Sequence, residues 1–340
     1  MESVGIIANP AAGKDIRRLV AQGRFVPNQE KVNILKRIFA GLDAVGVEHV
    51  VMMPDMARLG NGALDGGHFN LDVEFADMIV FNAVRDSVRA AGIMAEMGVG
   101  CIITLGGDGT NQAVAKGCGD VPLVPVSTGT NNVFPVMTEG TLAGLAAGLV
   151  ARGLVPVEET TTKSKRLEVH VEGELEDIAL VDVAISKERF VGARAIWDLE
   201  TVDELYLARA EPASIGLSAI GAQLMPTSLT DERGLHIKLR GARLGDGRLG
   251  DGGETVAAPV APGIIHPVRI ERWDVMEFGK PVEVELRPCT VALDGERAFT
   301  LKPGQEAHIE LSSEGPRVVL IEEALQAAAL SGVFRTSGSL

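Results

Sequence analysis

The sequence predicts two joined folds. The first is an α/β N-terminal domain on a doubly wound, mostly parallel sheet, and the second is an all-β, sandwich-like C-terminal domain. Three observations carry this. Apolar runs of strand length alternate with amphipathic helical segments through the first half, the pattern of parallel strands with helices on both faces. After about residue 153 the runs become short, often alternating and separated by turns, the pattern of antiparallel sheet. At 340 residues and 46% hydrophobic content, the chain is long enough for two cores. The expected divisions are residues 1–153, 154–322, and a C-terminal helix with a frayed tail over 323–340.

The first strand is the apolar run Val4-Gly5-Ile6-Ile7-Ala8, ended by Asn9-Pro10-Ala11-Ala12-Gly13-Lys14. Residues 15–21 are compatible with a helix. Residues 31–45 form a longer one, with Ile34, Leu35, Ile38, Leu42 and Val45 on one face. A strand over 47–53 breaks at Pro54-Asp55. Residues 60–67, rich in Gly, Asn and Asp, read as a loop, and an extra strand follows over 73–81. A helix over 86–97 carries Val88, Ala91, Met94 and Ala95 on one side. The run over 99–105 is the next strand, and it stops abruptly at Gly106-Gly107-Asp108-Gly109-Thr110. A helix over 111–116, a strand over 121–126, the turn Ser127-Thr128-Gly129-Thr130-Asn131-Asn132 and a helix over 139–151 complete this half.

In the second half, strands are expected near 167–171, 178–185, 235–239, 268–270, 282–286 and 308–311, with turns such as Asp294-Gly295-Glu296 and Lys302-Pro303-Gly304. The near-repeat within 241–253 reads as a surface loop, because no full series of calcium ligands is present. Residues 322–330 form a short final helix.

Acidic residues outnumber basic ones, 46 to 32, for a formal net charge of -14. That sign argues against non-specific binding to nucleic acid or anionic membrane, and leaves room for a local basic pocket for phosphates. Cys101, Cys118 and Cys289 match no zinc or haem spacing and no disulfide scaffold. The N-terminus reads directly into a strand without a basic leader, and the longest apolar stretch is too short to span a bilayer. The cytoplasm is the expected compartment. The six histidines form no ligand spacing and read as structural or exposed.

Ligands in a doubly wound sheet bind beyond the carboxyl ends of the strands. Three polar, Gly-containing turns fall at that end: residues 9–14, 106–110 and 127–132. Glycine lets backbone approach a ligand, and a helix N-terminus supplies N–H groups and positive potential for phosphate. The candidate phosphate-binding residues are therefore Asn9, Gly13, Lys14, Gly106, Gly107, Gly109, Thr110, Asn111, Thr128, Gly129, Thr130, Asn131 and Asn132. Lys14 would neutralise phosphate charge, or is a solvated first-turn lysine. Asp108 would hold a metal or accept a proton, or is a turn aspartate or helix cap.

GGDGT after a strand, an upstream Asn-Pro-x-x-Gly turn and a β-rich second half together resemble the ATP-NAD kinase superfamily, which also includes diacylglycerol and sphingosine kinases. Residues 9–18 and the whole first half look closest to the branch that includes acetoin catabolism protein X. The resemblance implies an ATP-dependent kinase phosphorylating a hydroxyl of NAD or a related nucleotide, with Mg²⁺ accompanying the ATP. It makes Asp108 the catalytic residue, accepting the proton of the attacking hydroxyl. It also implies a homodimer or homotetramer built through the β domain. The sequence departs from the NAD kinase pattern at Val181-Asp182, where an Asn-Glu pair is usual. A degenerate echo of the dinucleotide segment spans 211–221, making Asp182, Ser214 and Ser218 candidate substrate contacts. Gly129-Thr130-Asn131-Asn132-Val133-Phe134 and Asp294-Gly295-Glu296 lean toward the lipid kinases, so a lipid or small-alcohol kinase is an alternative. The altered Asn-Glu pair motivates another, a non-catalytic nucleotide sensor or accessory protein. Arg189, Arg194 and Arg209 of the second half are candidates to reach phosphates, and nothing in the sequence chooses among them.

Overall fold

The computed structural model describes residues 2–13, 26–129, 131–188, 199–240 and 254–335. The helix expected over 15–21, Lys14, Thr130, Arg189, Arg194, and the near-repeat within 241–253 lie outside the described residues.

Strands β1 (Ser3–Ala8), β2 (His49–Met52), β3 (Asp72–Phe75), β4 (Cys101–Gly106) and β5 (Leu123–Ser127) are parallel, in the spatial order β3-β2-β1-β4-β5. Every residue of β1, β4 and β5 is buried, which is why these strands read as continuous apolar runs. Helices α1 (Asn28–Ala44) and α2 (Leu59–Leu64) precede β3, and α3 (Val84–Glu96) and α4 (Asp108–Ala115) flank β4. Helix α5 (Gly140–Ala151) follows β5 and packs on α1. That crossing is close enough that a Cβ on Gly41 would stand 2.4 Å from the Thr141 carbonyl, and one on Gly144 2.3 Å from that of Ile38. The chain reverses its winding between β1 and β4, the switch point of a doubly wound sheet.

Two early expectations are corrected. Residues 60–67 contain helix α2 rather than a loop throughout. The Asp55 carboxylate accepts the Leu59 N–H at 3.0 Å to start it, and Leu59 and Ala63 are buried beneath it. Gly60 serves close packing here, since a Cβ would lie 2.9 Å from the Phe75 ring. The strand expected over 73–81 is only Asp72–Phe75. The Asp86 carboxylate captures the N–H groups of Phe81 and Ala83 and turns the chain into α3.

Short helix α6 (Val157–Thr160) leads to β6 (Thr161–Lys163), which stays with the first sheet. Strands β7 (Arg166–Val171), β8 (Glu174–Ala179), β9 (Asp182–Ser186) and β10 (Val202–Leu207) open the β domain. Helix α7 (Ser218–Ala222) precedes β11 (Arg233–Leu239), β12 (Glu254–Ala261), β13 (Ile264–Glu277) and β14 (Val282–Glu283). Then come β15 (Cys289–Leu293), β16 (Glu296–Leu301) and β17 (Ala307–Ser312). A seven-stranded sheet, β12-β13-β11-β10-β9-β15-β16, faces the four-stranded sheet β14-β17-β7-β8, and all neighbours are antiparallel. Leu167, Val169, Ile309 and Leu311 from one sheet and Val183, Ile185, Tyr206 and Val291 from the other share one core, which makes this a sandwich.

The chain then returns to the first domain. Strand β18 (Arg317–Val319) pairs parallel to β5 and antiparallel to β6, and α8 (Ile321–Ser331) packs on α5 and α6. Among the described residues no helix is long and apolar enough to cross a membrane.

Candidate functional site

The three glycine-containing turns follow β1, β4 and β5, which are adjacent strands, so they meet at one edge of the sheet. The Asn9 side chain ties two of them, donating from Nδ2 to Thr110 Oγ1 at 2.9 Å while its Oδ1 accepts the Ala11 N–H at 2.9 Å. Gly13 has a positive φ of 74°, and a Cβ there would stand 2.7 Å from the Thr128 carbonyl. The third turn is held by Asn132, whose Nδ2 donates to Ser127 Oγ at 2.8 Å, and by Ser127 Oγ, which donates to the Gly129 carbonyl at 2.8 Å.

Within the central turn each glycine has a different job. A Cβ on Gly106 would collide with Thr110 at 2.5 Å, and one on Gly107 would meet Asn132 Oδ1 at 2.8 Å. Gly109 is the exception, because a Cβ there meets nothing within 4 Å. Gly107 is the N-cap of α4, and its carbonyl accepts the N–H groups of Thr110 and Asn111, both at 3.1 Å. Asn111 is fully buried, with Nδ2 donating to the Gly107 carbonyl at 2.9 Å and Oδ1 accepting from Thr104 at 2.6 Å. Its side chain shapes the turn from beneath. Thr128 is 1% exposed, and its Oγ1 has no hydrogen-bond partner among the described residues.

Asp108 is the first residue of α4. Its carboxylate accepts the N–H groups of Val133, at 3.0 and 3.1 Å, and of Phe134, at 2.7 Å, clamping the helix to the segment after β5. Behind it lies Asp294, whose buried carboxylate accepts backbone N–H groups of Leu180, Val181 and Asp182 at 2.8 to 3.2 Å. Full burial raises the Asp294 carboxyl well above the usual range, and the neighbouring Asp182 and Asp108 carboxylates raise it further. Asp182, at the start of β9, accepts the Gly295 N–H at 3.2 Å. The fold therefore gathers Asp108 from one domain with Asp182 and Asp294 from the other.

Ser214 and Ser218 sit one step away. Ser218 Oγ donates to the Arg209 carbonyl at 2.8 Å and Ser214 Oγ to that of Glu211 at 2.7 Å. They fix the segment that carries Arg209. That guanidinium pairs with Glu211 through Nε at 2.9 Å and reaches the Phe134 carbonyl at 3.4 Å. Val133, Phe134, Leu180, Val181 and Val318 form an apolar cluster across the domain junction beside these groups. Gln112 Nε2 adds a bond to the Ile178 carbonyl at 2.6 Å.

Sequence reasoning missed Lys31 and Lys165. Lys31, fully buried in α1, donates from Nζ to the carbonyls of Asn9 at 3.0 Å, Pro10 at 3.1 Å and Ala12 at 2.8 Å. It places a positive charge under the first turn. Lys31 continues the apolar series Leu35, Ile38 and Leu42 at helical spacing, and a lysine in that stripe is the signal that marks it. Lys165 is buried at the junction and donates to the Arg233 carbonyl at 2.6 Å. Burial, aided by the charges of Arg209 and Arg233, pushes its amine down to about 8 against the pull of Asp231.

Residues 4–154 match the ATP-NAD kinase N-terminal domain, and residues 165–314 match the acetoin catabolism protein X C-terminal domain. The class is thus a doubly wound ATP-NAD kinase-type domain joined to a β domain. The chain is 40% identical to acetoin catabolism protein X of Cupriavidus necator over 344 aligned positions, covering 98% of this chain and 94% of that one. It belongs to the acetoin catabolism protein X family. Two solved chains described as a candidate diacylglycerol kinase of Bacillus anthracis str. Sterne align at 14% and 13% identity, with TM-scores of 0.46 and 0.43. Each alignment covers 94% of this chain, and 97% and 98% of the other.

Proposed function

We propose that this protein is an ATP-dependent phosphotransferase that phosphorylates a hydroxyl of NAD or a related nucleotide. The observation that carries the reading is the meeting of three interlocked turns over a buried lysine, next to three carboxylates at the domain junction. The residues fit a nucleotide polyphosphate. Gly109 leaves space where any larger residue would project, and Thr128 Oγ1 is a buried hydroxyl in need of a partner. The N–H groups of the first turn of α4 and the Lys31 charge favour an anion. Phosphoryl transfer rests on such positioning and charge neutralisation more than on covalent chemistry. Mg²⁺ bound with the nucleotide would offset phosphate charge, with Asp108 or Asp182 as its protein ligand.

In this reading Asp108 accepts the proton of the acceptor hydroxyl, held in place by the Val133 and Phe134 amides. Asp182, with Ser214 and Ser218 behind Arg209, shapes the acceptor side. The same two amides also favour a second reading, a nucleotide-binding protein that transfers nothing, because they already occupy the Asp108 carboxylate. Calorimetric titration with ATP, NAD and NADP beside a turnover assay separates the two. Phosphorylated dinucleotide supports the kinase, tight binding without product supports the sensor, and absence of nucleotide binding overturns both.

A further inference from the structure

Strand register joins two histidines that stand far apart in the sequence. β7 and β17 pair antiparallel with His170 opposite His308 and Glu168 opposite Glu310. Leu167, Val169, Ile309 and Leu311 fill the sandwich core, so the alternation of a strand puts these four on the other face. The two imidazoles stack with centroids 4.8 Å apart and planes 6° apart. His308 Nε2 lies 3.2 Å from Glu310 Oε1. His170 Nε2 is shielded from solvent, and its nearest acceptor among the described residues is Glu168 Oε2 at 3.5 Å, too long for a good hydrogen bond. One ligand atom each from His170, His308 and Glu310 lies within 4.8 Å of the others, and all three residues are half-buried.

We propose that His170, His308 and Glu310 bind a divalent transition-metal ion, with zinc the best match. Two imidazole nitrogens and one carboxylate oxygen are a zinc donor set that leaves a position for water. Ligand atoms around tetrahedral zinc stand about 3.3 Å apart, given Zn–N distances of about 2.0–2.1 Å. To bring their ring nitrogens onto one ion, the two imidazoles must turn out of their parallel stack by rotation about their own side-chain bonds, the strands staying fixed. Glu168 is held by Arg166, whose Nε donates to Oε1 at 2.8 Å, and its Oε2 faces His170 Nε2 at 3.5 Å.

The location gives the ion a role. β7 and β17 run directly from the two crossings between the domains, where the Ser164 N–H donates to the Pro316 carbonyl at 3.0 Å and the Gly315 N–H to the Ser164 carbonyl at 3.1 Å. An ion shared by His170 and His308 clamps the paired stem on which the β domain is carried. This site is separate from the glycine turns, and its test does not depend on the nucleotide reading.

The test uses the full chain, stripped with a chelator and titrated with zinc by calorimetry and by thermal unfolding. One ion per chain is expected, with a higher unfolding midpoint. His308→Ala and His170→Gln should each weaken binding by at least about 100-fold and abolish the thermal shift, since even supporting residues of metal sites cost 10- to 100-fold. His266→Ala, on an exposed residue of β13, should bind like the wild type. If one variant fails to fold in the metal-free state, the other, together with Glu310→Gln, decides. No saturable binding by the wild type, or equal binding by the folded site variants, overturns the proposal.

Discussion

Replacing Lys31 by Met keeps an unbranched apolar stem of nearly the same reach and removes the terminal ammonium. In the structure that ammonium is fully buried and bonded to three carbonyls of the turn after β1, at 2.8 to 3.1 Å. A hydrogen bond to a charged group contributes about 1.5–3 kcal/mol net. The three bonds share a single desolvation cost, so their loss does not simply triple, and a total of about 3 kcal/mol is expected. At roughly 2–4 °C per kcal/mol for a domain of this size, the midpoint of thermal unfolding should fall by about 6–12 °C. The turn carrying Asn9 should also loosen, so affinity for ATP should fall. Differential scanning fluorimetry and calorimetric ATP titration read the two effects. A Lys31→Met protein melting within about 2 °C of the wild type would refute the claim that this lysine secures the first turn.

Asp108→Asn retains an acceptor oxygen for the Val133 and Phe134 amides, so it should fold and bind ATP. Transfer should drop by about 10²–10⁴-fold, the usual loss for a positioned base; unchanged turnover removes Asp108 from the chemistry. Glu204 is a buried carboxylate that burial alone would raise, but hydrogen bonds from His236 and Tyr206 and the charge of Lys238 bring it down to about 2. A carboxyl lowered on folding stabilises the protein above its unfolded pKa and loses that contribution as pH falls toward about 2. Glu204→Gln should therefore cost about 3 kcal/mol at pH 7 and remove the matching acid-induced loss, read by urea unfolding across that range; identical pH profiles would contradict this. Lys165, lowered to about 8, sheds its proton on folding in mildly alkaline solution, so stability should rise between about pH 8 and its ordinary value of 10.5. Lys165→Met should flatten that rise, and a profile identical to the wild type would count against the assignment.

The doubly wound half was legible because its buried strands are continuous apolar runs and its longer helix after β1 carries Leu35, Ile38 and Leu42 on one buried face. The turns at 106–110 and 127–132 were legible because each ends such a run. Residues 60–67 misled because Gly60 is selected by the Phe75 ring beside it, a contact that local composition does not record. The extra strand was overextended because Asp86 bonds backward to Phe81 and Ala83, diverting the chain into a helix. Asn111 stood among the phosphate candidates by proximity alone, and the fold points it inward to Thr104 and Gly107. The His170–His308 pair depends on a register between strands more than a hundred residues apart, so no spacing rule could reveal it.

If the turn after β4 receives a nucleotide phosphate, as proposed, Gly109→Ala is the substitution that shows it. A Cβ at this position meets nothing in the protein, and alanine stabilises a helix over glycine by roughly 0.5–1 kcal/mol. The variant should melt at or above the wild-type temperature while calorimetry shows its affinity for ATP reduced by about 10-fold or more, a loss of roughly 1.4 kcal/mol. Wild-type ATP affinity in a protein of undiminished stability would contradict it.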